Sequence, residues 1–388
     1  MSVEHELRDA LNRPLDGEQE AEERAWRVVR AATPTPGHER ARRNAPARRG
    51  ALMLAATAAL AVALAVTPAG AEMSSWIKDG LGVESEHRPA SPVIGQLPGG
   101  GELLTTTPDG AWIVRTDGSR RRVGPYPTAS WSPNGLYVAG VRDRQLVAAT
   151  PTGDVRWALS SASGVANPRW SPSGLRIAYL SGRSLRVVAG DGSGDAELAA
   201  SAGATAPAWR PGSEDELTYE DRRGRIVTIS AVTGTKLYAS PPGIGPATLT
   251  WSGDGERLAV ISRNRALVLS AAGWPVAERA PKPRGTLLTG AYDPTGRRLA
   301  LVERHVGGSS VRIGVREVFA TAASLRDIAW SPDGRWLLVS SPAADQWLFL
   351  RARRPHRVVA ISGIARQIDP VRERPSFPRI AGWCRCDR

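Results

Sequence analysis

From residue 130 onward the chain repeats one arrangement of apolar and polar positions. A short run ends in an aromatic residue, a polar Pro/Gly turn follows, and a more apolar run comes next. The copies are SWSPNGLYVAGV at 130–141, RWSPSGLRIAYL at 169–180, AWRPGSEDELTYE at 208–220, TWSGDGERLAVIS at 250–262, AYDPTGRRLALVE at 291–303 and AWSPDGRWLLVSS at 329–341. Their aromatic positions, Trp131, Trp170, Trp209, Trp251, Tyr292 and Trp330, are 39, 39, 42, 41 and 38 residues apart, the period of a four-stranded propeller blade. Each copy predicts a strand ending at the aromatic, a hairpin turn, and a strand of alternating apolar residues such as Leu175, Ile177 and Tyr179. The Ser-Pro-Asp-Gly chemistry suits that turn. Proline presets the first central φ, Asp or Asn tolerates the second, and glycine takes the left-handed position at low steric cost.

A second recurring element counts the units independently. Apolar strands, most followed by a glycine turn, fall at 111–118, 145–153, 184–192, 225–234, 265–273, 311–318 and 346–354. These are seven, one more than the aromatic copies, and the extra one is N-terminal and lacks a first strand. The tail SFPRIAGWC at 376–384 resembles such a first strand. The expected fold is therefore all-β, a seven-bladed β-propeller over residues 95–388 with a six-bladed ring as the alternative, in which the tail supplies the inner strand of the N-terminal blade and leaves no open sheet edge. Either Ile380 or Trp383 would take the aromatic position.

At these residues the chain resembles the WD40-like repeats of the TolB-like family of bacterial propellers, whose blades carry W-S-P-D-G-(K/R)-x-L/I-A/V. The resemblance implies a propeller that binds proteins or envelope components. The family's namesake carries a separate N-terminal α/β domain, for which the 23 residues between Ala71 and Gly95 leave no room. The plan is closer to membrane-anchored TolB-like proteins of GC-rich, Gram-positive bacteria.

Ahead of the repeats, Ala51 to Ala71 is a run of 21 residues without a charge, long enough to cross a bilayer. Arg40, Arg42, Arg43, Arg48 and Arg49 precede it, which keeps the N-terminus cytoplasmic and exports the rest. The expected organisation is a cytoplasmic helical segment and basic linker at 1–49, a transmembrane helix at 50–71, an extracytoplasmic linker at 72–94, and the propeller. Ala69-Gly70-Ala71 also reads as a cleavage site, so secretion after cleavage near Ala71 is the alternative. Helices predicted at 3–11 and 17–32 carry the leader; they are either passive or dock a cytoplasmic regulator, as in membrane-anchored anti-sigma factors.

Composition adds less. Of 388 residues, 51 are basic and 38 acidic, and 70 are Gly or Pro, which excludes collagen, coiled coil and helical bundle. The excess charge lies after the apolar run: residues 72–388 carry 41 basic and 29 acidic groups. Such a surface favours anionic envelope polymers, lipid headgroups or acidic proteins. There is no nucleic-acid motif, so nucleic acid is not an expected partner. The five histidines share no metal-ligand spacing, no G-x-S-x-G turn occurs, and neither a cofactor nor catalysis is expected. Cys384 and Cys386 form a C-x-C pair that could be redox-active, bridge to another chain or contact a metal; the plainest expectation is two tail residues of modest packing value.

The expected function is that of a protein- or envelope-component-binding scaffold, the alternatives being an enzyme with its site at the channel mouth and a transmembrane sensor signalling through residues 1–35. The recurring aromatics read as packing between blades rather than as sugar platforms. The segments leading into the inner strands ring one mouth and vary in sequence, which makes Asn167, Arg169, Arg326 and Asp327 the candidate partner-binding residues, with Thr205, Thr248, Arg284 and Arg379 beside them.

Overall fold

The computed structural model describes residues 93–276, 282–353 and 357–386, which form 27 strands in seven antiparallel sheets. Blade 1 holds β1 (Glu102–Thr107), β2 (Gly110–Val114) and β3 (Arg120–Gly124). Blade 2 is β4–β7 (Thr128–Trp131, Val138–Arg142, Gln145–Ala149, Val155–Ser160), and blade 3 is β8–β11 (Ala166–Trp170, Arg176–Ser181, Ser184–Ala189, Ala196–Ala199). Blade 4 is β12–β15 (Ala208–Trp209, Glu216–Glu220, Ile226–Ser230, Lys236–Ala239), and blade 5 is β16–β18 (Ala247–Trp251, Arg257–Ser262, Arg265–Ser270) with a bridge from Leu269 to Pro275. Blade 6 is β19–β22 (Thr286–Tyr292, Leu299–His305, Gly308–Ile313, Arg316–Thr321), and blade 7 is β23–β26 (Ile328–Trp330, Trp336–Ser341, Gln346–Arg351, Val358–Ser362). A short helix α1 (Ile364–Ile368) and β27 (Arg379–Cys384) complete the chain. Seven sheets replace the six-bladed alternative. The leader, the apolar run and the linker up to residue 92 lie outside the described residues, among which no helix is long and apolar enough to cross a membrane.

The turns behave as their residues dictate. In blade 2 the Gly135 amide donates to the Ser132 carbonyl at 3.0 Å, and Gly135 has φ 68°. The equivalent Gly174, Gly255, Gly296 and Gly334 are also left-handed. The second strand of each blade departs from the expected alternation. Ile177, Ala178, Tyr179 and Leu180 are all buried, whereas Leu175 is 68% exposed on the turn. A blade is covered on both faces, so both residue parities must be apolar: Ile177 and Tyr179 pack toward blade 2, Ala178 and Leu180 toward blade 4.

Stability resides between blades. Each of the seven hydrophobic clusters among the described residues joins two neighbouring blades and contains one aromatic of the recurring position. Trp131 sits between blades 1 and 2, Trp170 between 2 and 3, Trp209 between 3 and 4, Trp251 between 4 and 5, Tyr292 between 5 and 6, and Trp330 between 6 and 7. Trp383 fills the same role between 7 and 1. A buried ring of this size takes about 150–250 Å² out of water, roughly 4–6 kcal/mol at about 25 cal/mol/Å².

The tail closes the ring. β27 pairs antiparallel with β1, so the sheet order of blade 1 is β27-β1-β2-β3. Trp383 faces Leu103, and Leu103 faces Val114, just as Trp170 faces Ile177 and Ile177 faces Val188. Trp383, not Ile380, therefore takes the aromatic position. Its indole Nε1 donates to the Gly100 carbonyl at 2.8 Å, and its ring meets Phe349 of blade 7 edge-on at 5.8 Å. With β27 in place, every inner strand packs against the next around the whole ring.

Candidate functional site

An antiparallel blade has two ends that differ in what they carry. The turn between first and second strands, which holds the Ser-Pro-Asp-Gly residues, and the turn between third and fourth strands lie at one end. The turn between second and third strands shares the other end with the segment that enters the next blade. The first is here called the turn end and the second the entry end.

At the turn end the arginines are fastened into the fold. Arg298 Nε donates to the buried Asp293 carboxylate at 2.8 Å, its Nη2 donates to the Gly334 carbonyl of the next blade at 2.7 Å, and its guanidinium lies 4.7 Å from the centre of the Trp330 ring. Arg257 repeats this one blade earlier with Asp254, the Gly296 carbonyl and the Tyr292 ring. Arg210 does so with Glu216, the Gly255 carbonyl and Trp251. In blade 2 Tyr137 takes the position and stacks on Trp170 at 6.2 Å. The carboxyls of Asp293 and Asp254 are held low. Burial alone would raise Asp293, but the amide and guanidinium of Arg298 outweigh it; a hydrogen bond from Ser252 lowers Asp254.

At the entry end six arginines are left to solvent. Arg144, Arg183, Arg222, Arg223 and Arg263 lie on the turns between second and third strands of blades 2 to 5, Arg304 lies near the end of β20 in blade 6, and all six are exposed. Their side chains have no ion-pair partner among the described residues. Their backbones are nonetheless fixed. The carbonyls of Arg144, Arg183, Arg223 and Arg263 accept from the amides of Ser161, Ala202, Gly243 and Leu287, the first three in the segment entering the next blade and Leu287 in its first strand. The turns are tight because their first residue is left-handed in two of them, Asp143 at φ 53° and Gly182 at φ 58°. In blade 4 the buried Asp221 carboxylate accepts from the amides of Arg223 and Arg225 and from Arg225 Nε at 2.6 Å, leaving Arg222 and Arg223 outermost.

Two clefts open at this end. One of about 730 Å³ is lined by Arg142, Arg144, Gln145 and Ser160. The other, of about 360 Å³, has Arg183 and Arg222 with Ala202, Glu220 and Asp221. Burial pushes the Glu220 carboxyl above its ordinary value; Thr205 Oγ1 donates to it, and the Ala247 amide does so at 3.3 Å.

The residues singled out from sequence divide into two places. Asn167 and Arg169 share β8. Asn167, left-handed at φ 51°, donates from Nδ2 to the Ala204 carbonyl at 2.9 Å, and this bulge sets the register of β8. Arg169 donates to the Pro168 carbonyl at 3.0 Å, has no carboxylate in ion-pair range among the described residues, and is pushed below its ordinary pKa by burial. Arg326 and Asp327 lie elsewhere, at the ring's closing joint. Asp327 accepts from Arg379 Nη2 at 2.7 Å, from Arg326 Nε at 3.1 Å and from the Ile380 amide at 3.5 Å. Arg326 also donates to the Pro378 carbonyl at 3.0 Å and covers Phe377. This cluster holds β27 against blade 7. Thr248 is exposed on β16, and Arg284 is a largely exposed partner of Glu317. The six exposed arginines were not among the candidates. Their signal is a near-constant offset, 12 to 14 residues after the aromatics of blades 2 to 6. Among the described residues no group of three or more His, Cys, Asp or Glu side chains is placed to hold a metal ion.

No protein-family model matches the chain, and no curated protein matches it. Solved structures do. The chain is similar to Hsv2 of Kluyveromyces marxianus, with a TM-score of 0.51 and 13% identity over 66% of this chain and 91% of that one. It is similar to Kluyveromyces lactis Hsv2, with a TM-score of 0.51 and 13% identity over 70% and 98%. The C-terminal WD40 domain of Sif2 gives 0.52 and 13% over 71% and 89%. Identities this low speak to architecture alone, and the architecture they share with this chain is the WD40-type seven-bladed β-propeller.

Proposed function

We propose that this chain is a membrane-anchored, extracytoplasmic propeller of the TolB-like, bacterial kind that works as a binding scaffold without catalysis and captures an anionic protein or envelope component at its entry end. The observation that carries this reading is the run of exposed, unpaired arginines on five consecutive blades. A guanidinium that the fold does not use is free to pair with carboxylate or phosphate. Sequential placement around one mouth offers a partner several such groups at once, and Asn167, Arg169, Arg326 and Asp327 form the inner margin of that mouth. Export is supported by the 21-residue uncharged run with its upstream arginines and by a disulfide between Cys384 and Cys386, a bond that persists in oxidising compartments.

Binding is tested with labelled polyglutamate on the full chain, at low and high salt. Arg183→Glu/Arg263→Glu should weaken capture by about tenfold or more at low salt, less at high salt, with the melting temperature unchanged. The control is Arg120→Glu/Arg121→Glu, which makes the same change in net charge on the outer strand of blade 1. Equal losses in both variants would mean that net charge, not the entry end, governs capture. Arg326→Glu is the wrong probe, because it breaks the closing joint. Topology is tested by a reporter fused after Arg388 that is active only outside the membrane. A silent, well-expressed fusion refutes export, and a mature N-terminus at Glu72 means cleavage rather than anchoring.

A further inference from the structure

The turn that follows each aromatic is organised by the side chains one and three positions after it. In blade 2 Ser132 Oγ and Asn134 Oδ1 hydrogen-bond at 2.7 Å, and the Tyr137 amide donates to Ser132 Oγ at 2.9 Å. In blade 7 Ser331 Oγ donates to Asp333 Oδ1 at 2.6 Å, and the Trp336 amide donates to Ser331 Oγ at 2.9 Å. Ser252 with Asp254 in blade 5, Ser171 with Ser173 in blade 3, and Asp293 with Thr295 in blade 6 repeat the pairing. Blade 4 departs from it, with Arg210 and Gly212 at these positions.

With Trp383 in the aromatic position, the corresponding residues of blade 1 are Cys384 and Cys386, and they are joined by a disulfide with their Cα atoms 5.3 Å apart. Blade 1 is also the blade in which the first strand and the second are not consecutive in the chain. β27 stops at Cys384, whereas β1 begins at Glu102. No amide of a following strand is covalently delivered to this turn, so the hydrogen-bond network that fixes the other turns has lost its second half. Cys386 is nonetheless buried, seated against Gly135 of blade 2, where a Cβ would collide with it. Gly99, in the segment ahead of β1, is seated in the same way on Ser331 of blade 7.

We propose that the Cys384–Cys386 disulfide is the fastener of the propeller ring, a covalent replacement for the Ser/Asx hydrogen bond of the other blades, and that it makes closure of blade 1 depend on the thiol redox state of the compartment. The Asp327–Arg379 cluster secures the beginning of β27 and the disulfide secures its end. A small dithiol opens the fastener: its two thiols are oxidised to a disulfide, and the Cys384–Cys386 bond accepts two electrons and two protons to give two thiols. The freed end of β27 then frays from Glu102 and Leu103, and Trp383 loses its fixed seat.

The test uses the full chain and hydrogen exchange of the amides at 379–384 and 102–106. Four samples are compared: oxidised protein, protein reduced with a dithiol, Cys384→Ala/Cys386→Ala, and Cys384→Ser/Cys386→Asp. Reduction and the alanine pair should each speed exchange in these two strands by about tenfold, leave β17 and β20 unchanged, and lower Tm by a few degrees. The Ser/Asp pair, which restores the side chains of the other blades, should keep slow exchange with and without the dithiol. Two free thiols in protein purified without reductant, exchange unaltered by reduction, or a Ser/Asp pair no better protected than the alanine pair would each overturn the proposal. If the Ser/Asp pair does not fold, reduction of the native sequence decides the matter alone.

Discussion

The two ends of this propeller use arginine for opposite purposes. At the turn end, Arg210, Arg257 and Arg298 each hold a carboxylate, a carbonyl of the next blade and an aromatic face. At the entry end, Arg144, Arg183, Arg222, Arg223, Arg263 and Arg304 hold nothing through their side chains among the described residues. Composition cannot separate the two sets, since the chain has 48 arginines and three lysines. What separates them is the neighbourhood. The turn end brings a carboxylate and an aromatic ring of the adjacent blade within reach of each arginine, whereas the six exposed arginines of the entry end have neither within range among the described residues. Repetition of a residue type therefore means stability at one end and availability at the other.

The comparison can be broken first through its aromatic half. Trp170→Ala should open a cavity between blades 2 and 3 and destabilise the fold by about 3–5 kcal/mol in urea titration. An unchanged midpoint would show that the ring is not a packing element. Next comes the matched arginine pair. Arg298→Ala strands the Asp293 carboxylate, whose side chain is 1% exposed, and should cost about 2–4 kcal/mol. Arg263→Ala at the other end should stay within about 0.5 kcal/mol. Equal effects would erase the distinction between the ends. The smallest effect concerns the cleft. Burial raises the Glu220 pKa in the fold, so its ionised form opposes folding: the penalty is absent below the unfolded value near 4.3 and grows as pH rises through the folded value. Glu220→Gln should therefore raise Tm at pH 7, and the gain should shrink toward pH 4. A gain independent of pH would point to packing instead.

Much of this was legible in the sequence because a propeller writes its period openly. The aromatic spacing and the seven apolar strands pointed to seven blades, with six as the alternative, and to a ring closed by the tail. The register of the closing strand was not legible, since Ile380 and Trp383 are both apolar and only pairing with Leu103 separates them. The double-sided burial of Ala178 and Leu180 was hidden because a strand between two blades has no solvent face to mark its alternation. That Arg326 and Asp327 also secure the tail was hidden for a related reason: Arg379 is 52 residues away from Asp327 in the chain, a contact that no local pattern announces. The exposed arginines were visible as a near-constant offset from the aromatics of blades 2 to 6, but one obscured by the abundance of arginine elsewhere.

Ring closure by β27 also sets a clock on biosynthesis. The other six inner strands are made together with their own blades. β27 begins 255 residues after β3 ends at Gly124, so at about 5–20 residues per second blade 1 waits roughly 13–50 s for its first strand. Throughout that interval β1 presents an unpaired edge carrying Leu103, Leu104, Thr105 and Thr106, all buried in the finished ring. On a crowded polysome the nearest matching strand belongs to the nascent chain ahead. The tail that completes one molecule is the segment best suited to link two, by an exchange of tails between neighbours.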